Sequence, residues 1–171
     1  MGHSGGTYKA VRYLFEGELK DKVNKIILLS PLDIKSVMIN NGRSDIEGLL
    51  IKAQLKVTGG KGNELVTREF ENDTMSYKTF ISWYKQDDLG RMFEYCNPDY
   101  DFPILKQIQI PALAVIGSQD DYFPRGCDEA INALSKNITK FSSKIIQGAD
   151  HCFKSFESVL VKEVSGFLFT D

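Results

Sequence analysis

Three short, largely apolar stretches constrain this chain more than anything else in it. Val23–Ser30, Ala112–Ile116 and Lys144–Gln147 are each too brief for a core helix, so they read as buried strands. Between and after them the apolar spacing changes to three and four. Tyr8, Val11, Leu14 and Phe15 mark an amphipathic helix starting just after Gly6, and Arg125–Leu134 reads as another. Phe153, Phe156, Val159, Leu160, Val164 and Phe167 share one face of a last helix. Strands that alternate with helices pair in parallel, so the expected fold class is α/β: a mostly parallel sheet flanked by helices.

Residues 34–103 break this rhythm. Ile46, Leu49, Leu50, Ala53 and Leu55 suggest one helix, and Tyr77, Phe80, Ile81 and Tyr84 another, with Gly59-Gly60-Lys61-Gly62 as a turn between them. Placed after a strand's carboxyl end, this helical insertion would lie over the crevice where open α/β sheets bind ligands, as a lid does. The expected organisation is therefore one core built from residues 1–33 and 104–171, with 34–103 inserted into it.

Composition excludes several function classes. With 21 basic and 23 acidic residues the net charge is −2, which gives no electrostatic footprint for nucleic acid or an anionic membrane. No apolar run approaches the roughly 20 residues of a membrane span, and no signal segment follows Met1. Cys96, Cys127 and Cys152 are an odd number without C-x-x-C spacing, which fits reduced thiols and a cytoplasmic setting better than disulfides or zinc. The expected partner is a small molecule, and no cofactor or metal is implied.

The chemistry concentrates in three places. Gly2-His3-Ser4-Gly5-Gly6 is G-x-S-x-G directly before a helix, where flanking glycines permit a sharp turn that lifts a serine hydroxyl toward the helix's positive end. Asp120 follows one strand and His151 the next, at the carboxyl ends where catalytic groups of such sheets collect. Each residue also has a plainer role open to it. Ser4 can be a helix N-cap, Asp121 competes with Asp120, and His151 can pair locally with Asp150. His3 reads as a cleft wall and Cys152 as packing. Trp83 and Tyr84, with Tyr77, Phe80, Phe93 and Tyr95, can line an acyl or aromatic pocket or simply pack the lid. The glycine turn at 59–62 lacks P-loop spacing.

Gly2-His3-Ser4-Gly5-Gly6, Gly117-x-x-Asp120-x-x-x-Pro124 and Gly148-x-x-His151 resemble the nucleophile elbow, acid loop and histidine loop of α/β-hydrolase-fold serine hydrolases, and the order Ser, Asp, His is that family's order. The resemblance implies Ser4 as nucleophile, His151 as general base then acid, Asp120 as orienter of the imidazole, and the Gly5 N–H as an oxyanion donor. His3, Trp83 and Tyr84 are the candidate substrate contacts. The implied substrate is a small carboxylic ester or thioester, with acyl transfer open to the same triad. A non-catalytic remnant acting as a binding or assembly fragment is the other reading.

Complete hydrolases of this fold place several strands before the nucleophile, whereas here Ser4 is the fourth residue. The expectation is a chain that lacks the front of the fold, with no strand clamping the elbow and no loop to supply a second oxyanion N–H. Val23–Ser30 would then present an open edge, to be covered by self-association or by a complementary N-terminal fragment.

Overall fold

A computed structural model describes residues 1–40, 45–66, 75–84, 87–123 and 125–169. Pro124 and parts of the 34–103 segment (41–44, 67–74 and 85–86) lie outside the described residues. Four parallel strands form one sheet in chain order: β1 (Gly2–His3), β2 (Ile26–Leu29), β3 (Ala112–Gly117) and β4 (Phe141–Ile146). Gly2 pairs with Leu28 and His3 with Leu29, Ile26 with Ala112, and Ala112 with Phe141. Two expectations are corrected here. A strand does lead into the elbow, though it is only two residues long, and β2 is paired along Leu28 and Leu29 on the side expected to be open.

Because each strand is added on the same side of the last, right-handed crossovers put the connecting helices on one face of the sheet. That face holds α1 (Gly6–Glu16) and α5 (Cys127–Asn137). The period of two in a strand sorts the side chains accordingly. Ile26, Leu28, Ala112, Ala114 and Ile116 pack with Val11, Ala130 and Leu134 on the α1/α5 side. Ile27, Leu29, Leu113, Val115 and Ile146 pack with Phe153 on the other, beneath Leu160, Val164 and Phe167 of α6 (Glu157–Phe169). Val159, expected on the packed face, is 41% exposed. β4 starts three residues earlier than its apolar pattern suggests, at Phe141. It has the sheet on one side only, so just Ile146 is buried and its first residues carry little hydrophobic signal.

Residues 34–84 supply α2 (Ile34–Asn40), α3 (Ile46–Thr58) and α4 (Tyr77–Tyr84). Leu32, Met38, Ile46, Ala53, Phe80 and Tyr84 form a separate apolar cluster, against which Tyr8 of α1 packs. Asp45 caps α3, its carboxylate accepting the Gly48 N–H at 3.0 Å, as a short acidic side chain before a helix does. Gly59 closes that helix and Gly60 follows with φ 77°, so the glycine turn is a helix terminus. Met92, Phe93, Tyr95 and Phe102 pack into the sheet's own α1/α5 core.

Candidate active site

The elbow is tight for a reason visible atom by atom. Ser4 has φ 54°, a left-handed conformation costing an ordinary side chain about 1–2 kcal/mol. Its N–H donates to Leu29 O at 2.9 Å. Its carbonyl accepts from Thr7 N at 3.0 Å and from Thr7 Oγ1 at 2.6 Å. Thr7 is fully buried. A Cβ at Gly2 would lie 2.3 Å from Gly6 O, whereas one at Gly6 would meet nothing within 4 Å. Of the two motif glycines, only the first is demanded by close approach. The helix N-cap is Gly5, with no side-chain cap, so Ser4 does not cap α1.

The acid and histidine loops are packed into each other. A Cβ at Gly117 would lie 2.3 Å from Ala149 O and 2.7 Å from Asp150 O. Glycine therefore lets the end of β3 touch the backbone of the histidine loop. The Gln119 N–H donates to Ala149 O at 2.9 Å, and the Gly148 N–H to Ser118 Oγ at 2.8 Å. Across this seam His151 Nδ1 lies 2.9 Å from both Asp120 oxygens. The Asp120 side chain is fully buried and that of His151 is 12% exposed. The Tyr122 N–H also donates to Asp120 Oδ1, at 3.0 Å. Asp120, not its exposed neighbour Asp121, is the partner of the imidazole. With an Nδ1–H on the carboxylate, Nε2 of neutral His151 keeps its lone pair.

The two sides meet through His3. Its Nε2 donates to His151 O at 2.8 Å, and its ring lies 5.0 Å from that of His151 and 6.2 Å from that of Phe153. The Tyr122 ring lies 4.2 Å from that of His151, tilted by 31°, a neighbour the sequence reading did not single out. Among the described residues Ser4 Oγ is not hydrogen-bonded to His151.

On the α1 side of the elbow, Trp83 leans directly on the backbone: a Cβ at Gly5 would come within 2.8 Å of its Cη2. Trp83 and Gly5, with Tyr8, Ile34, Leu89 and Met92, wall a cavity of about 60 Å³ whose rim carries Lys9 and Arg12. That is room for a few water molecules. Tyr84 is buried in the helical cluster and borders an adjoining, smaller cleft with Trp83.

A buried polar network beyond β2 also escaped the sequence reading, because its members are far apart in the chain. Ser30, after β2, has φ 45° and a buried hydroxyl with no partner among the described residues. Asp33 accepts from Ser36 N, Ser36 Oγ and Cys96 N. Burial raises the Asp33 carboxyl above its ordinary range, and the Ser36 and Cys96 bonds offset only part of this. Glu94, also buried, is pushed up by desolvation but pulled further down by bonds from Lys35, Arg91 and Asn97. Burial and the Asp33 charge push the Tyr8 hydroxyl far above its usual value. Signals of this kind need tertiary contacts to be seen.

No family model and no curated protein matches the sequence. Solved structures do match the fold. Over 98% of its length the chain superimposes on 60% of a soluble variant of monoglyceride lipase from Saccharomyces cerevisiae, solved in complex with a substrate analogue (TM-score 0.61, 14% identity). It covers 58% of Est1E from Butyrivibrio proteoclasticus over the same share of its own length (TM-score 0.56, 18% identity). With 95% of its residues it covers 63% of an α/β fold family hydrolase from Bacillus anthracis str. Sterne (TM-score 0.50, 16% identity). The chain thus spans about three fifths of the length of these structures. Among the described residues no helix is long and apolar enough to cross a membrane. Strand order, crossover side and likeness to these structures agree that the chain has the α/β-hydrolase fold.

Proposed function

We propose that this protein is a serine hydrolase that cleaves a small carboxylic ester or thioester through an acyl-serine intermediate. The observation that carries the reading is the Asp120–His151 pair at 2.9 Å, seated beside the elbow by the His3 contact. A strained serine, a buried carboxylate and an imidazole with a free Nε2 converge at the carboxyl end of one sheet.

In this mechanism Ser4 Oγ attacks the acyl carbon while its proton passes to His151 Nε2. The Asp120 carboxylate, held out of water, steadies the imidazolium that forms. The Gly5 N–H donates to the oxygen that gains negative charge. Collapse of the tetrahedral species expels the alcohol or thiol, which takes the proton from His151. Water then gives a proton to His151 and attacks the acyl-serine, and as the second tetrahedral species collapses His151 returns that proton to Ser4 Oγ, releasing the acid. The missing Ser4–His151 hydrogen bond is consistent with this, because catalytic bonds in unliganded sites often form only with substrate in place. Helices α2–α4 act as a cap, with Trp83 closing on the elbow at Gly5.

The test is labelling by a fluorophosphonate, which phosphonylates an activated serine and releases fluoride. Wild-type chain should label, and Ser4→Ala should not. Labelling that persists in Ser4→Ala, or no labelling of the wild type, would remove Ser4 as nucleophile.

A further inference from the structure

His3 is not needed for any step above, yet it makes the one hydrogen bond that joins the elbow (residues 2–6) to the histidine loop (148–156) among the described residues. A carbonyl oxygen can only accept, so Nε2 of His3 carries the proton in this contact. The loop it grips has three left-handed residues in succession of turns: Gly148 at φ 80°, Phe153 at φ 56° and Ser155 at φ 67°. Its other ties run elsewhere. Ala149 and Gly148 are fastened to the acid loop, and Asp150 Oδ1 accepts from Cys152 N and Lys154 N within the loop itself. Those bonds fix His151 relative to Asp120 and leave its placement relative to Ser4 to another contact.

We propose that His3 is a positioning residue that fastens the backbone of His151 to the nucleophile elbow, setting the distance over which the serine proton travels. The register supports this. His3 is pinned to Leu29 by the β1–β2 pairing, the next N–H is bonded to Leu29 O, and the side chain projects toward the α6 face, where Phe153 is 2% exposed. A strand position directly before the nucleophile thus reaches the main chain of the base. His3 lies against the loop from its exposed side and does not line the cavity beside Gly5. The imidazole rings of His3 and His151 lie 5.0 Å apart and tilted by 40°, and among the described residues Tyr122 is the other aromatic neighbour of the imidazole.

This inference rests on the hydrolase reading, and its test separates the two. His3→Leu removes the donor, and His3→Gln restores an N–H at a similar reach. Each variant is followed by its fluorophosphonate labelling rate, its melting temperature, and the proton NMR resonance of the His151 Nδ1–H on Asp120. The expected result is labelling about three- to tenfold slower in His3→Leu, the factor set by a net hydrogen bond of ordinary strength. The resonance should shift or broaden and melting should change little, since His3 is exposed. His3→Gln should recover most of the rate. Unchanged rate and resonance in His3→Leu would overturn the proposal, as would equal losses in Leu and Gln variants that melt alike. Should the wild type fail to label at all, the hydrolase reading falls, and the resonance alone decides whether His3 holds the loop.

Discussion

Asp120 and His151 sit on loops fastened to each other by two backbone-anchored hydrogen bonds and by the direct contact of Gly117 with the Ala149 carbonyl. Ser4, by contrast, rests on a two-residue edge strand, one bond to Leu29 and the turn into α1. The acid loop grows from β3, a central strand whose six residues are all buried, and the histidine loop from its neighbour β4. Among the described residues β1 pairs with a single strand, β2. The difference teaches where rigidity comes from in this site: the Asp120 and His151 loops take it from their bonds to each other, anchored on the central β3, and Ser4 takes it from local backbone geometry.

Glycine substitutions break this comparison most forcefully. Gly117→Ala puts a methyl against two backbone carbonyls that cannot both retreat, and a loss of about 3 kcal/mol in urea denaturation is expected. Gly2→Ala meets the Gly6 carbonyl at the same 2.3 Å, but an edge strand can shift, so about 1–2 kcal/mol is expected. Gly6→Ala, in open space, should fall within about 0.5 kcal/mol of wild type or gain slightly. Equal losses for the three variants would show that neither side depends on close backbone approach.

A smaller effect sharpens the elbow's half. Because Ser4 is left-handed, Ser4→Gly should raise stability by up to about 1 kcal/mol, while Ser4→Ala should give no such gain. Both should abolish fluorophosphonate labelling. Thermal melts of the two variants side by side check this directly.

The smallest effect is one of pH. Asp33 has its carboxyl raised by burial, so between the ordinary aspartate range and the raised value the folded chain binds more protons than the unfolded chain. Its contribution to stability falls as pH rises through that window and is level above it. Asp33→Asn loses an acceptor for Ser36 or Cys96. Its deficit against wild type should therefore be largest at about pH 4 and shrink toward neutrality. Denaturation of both chains at several pH values gives the trend, and a deficit that grew with pH would contradict it.

Much of this was legible in the residues. β2 and β3 are written in unbroken apolar letters because both of their faces are covered. The order Ser4, Asp120, His151 carried the architecture because loops at strand ends keep chain order. β1 was not legible, since two residues, one a glycine, carry no periodicity. Phe93 and Tyr95 read as lid aromatics by position, yet they pack into the sheet's core. Its place third after Gly117 already favours Asp120 over Asp121, and burial and the bond to His151 agree with it. The Asp33 and Glu94 network was invisible because its stabilising partners lie up to 63 residues away.

Trp83 is the only tryptophan in the sequence, and its indole rests against the glycine that follows Ser4. Tryptophan emission from the polypeptide is thereby a report from one spot, a single residue along the backbone from the Ser4 hydroxyl. An adduct on that oxygen, a ligand in the neighbouring cavity or a lifting of α4 would each alter the indole's surroundings, giving the protein a fluorescent gauge of its own site without any added dye.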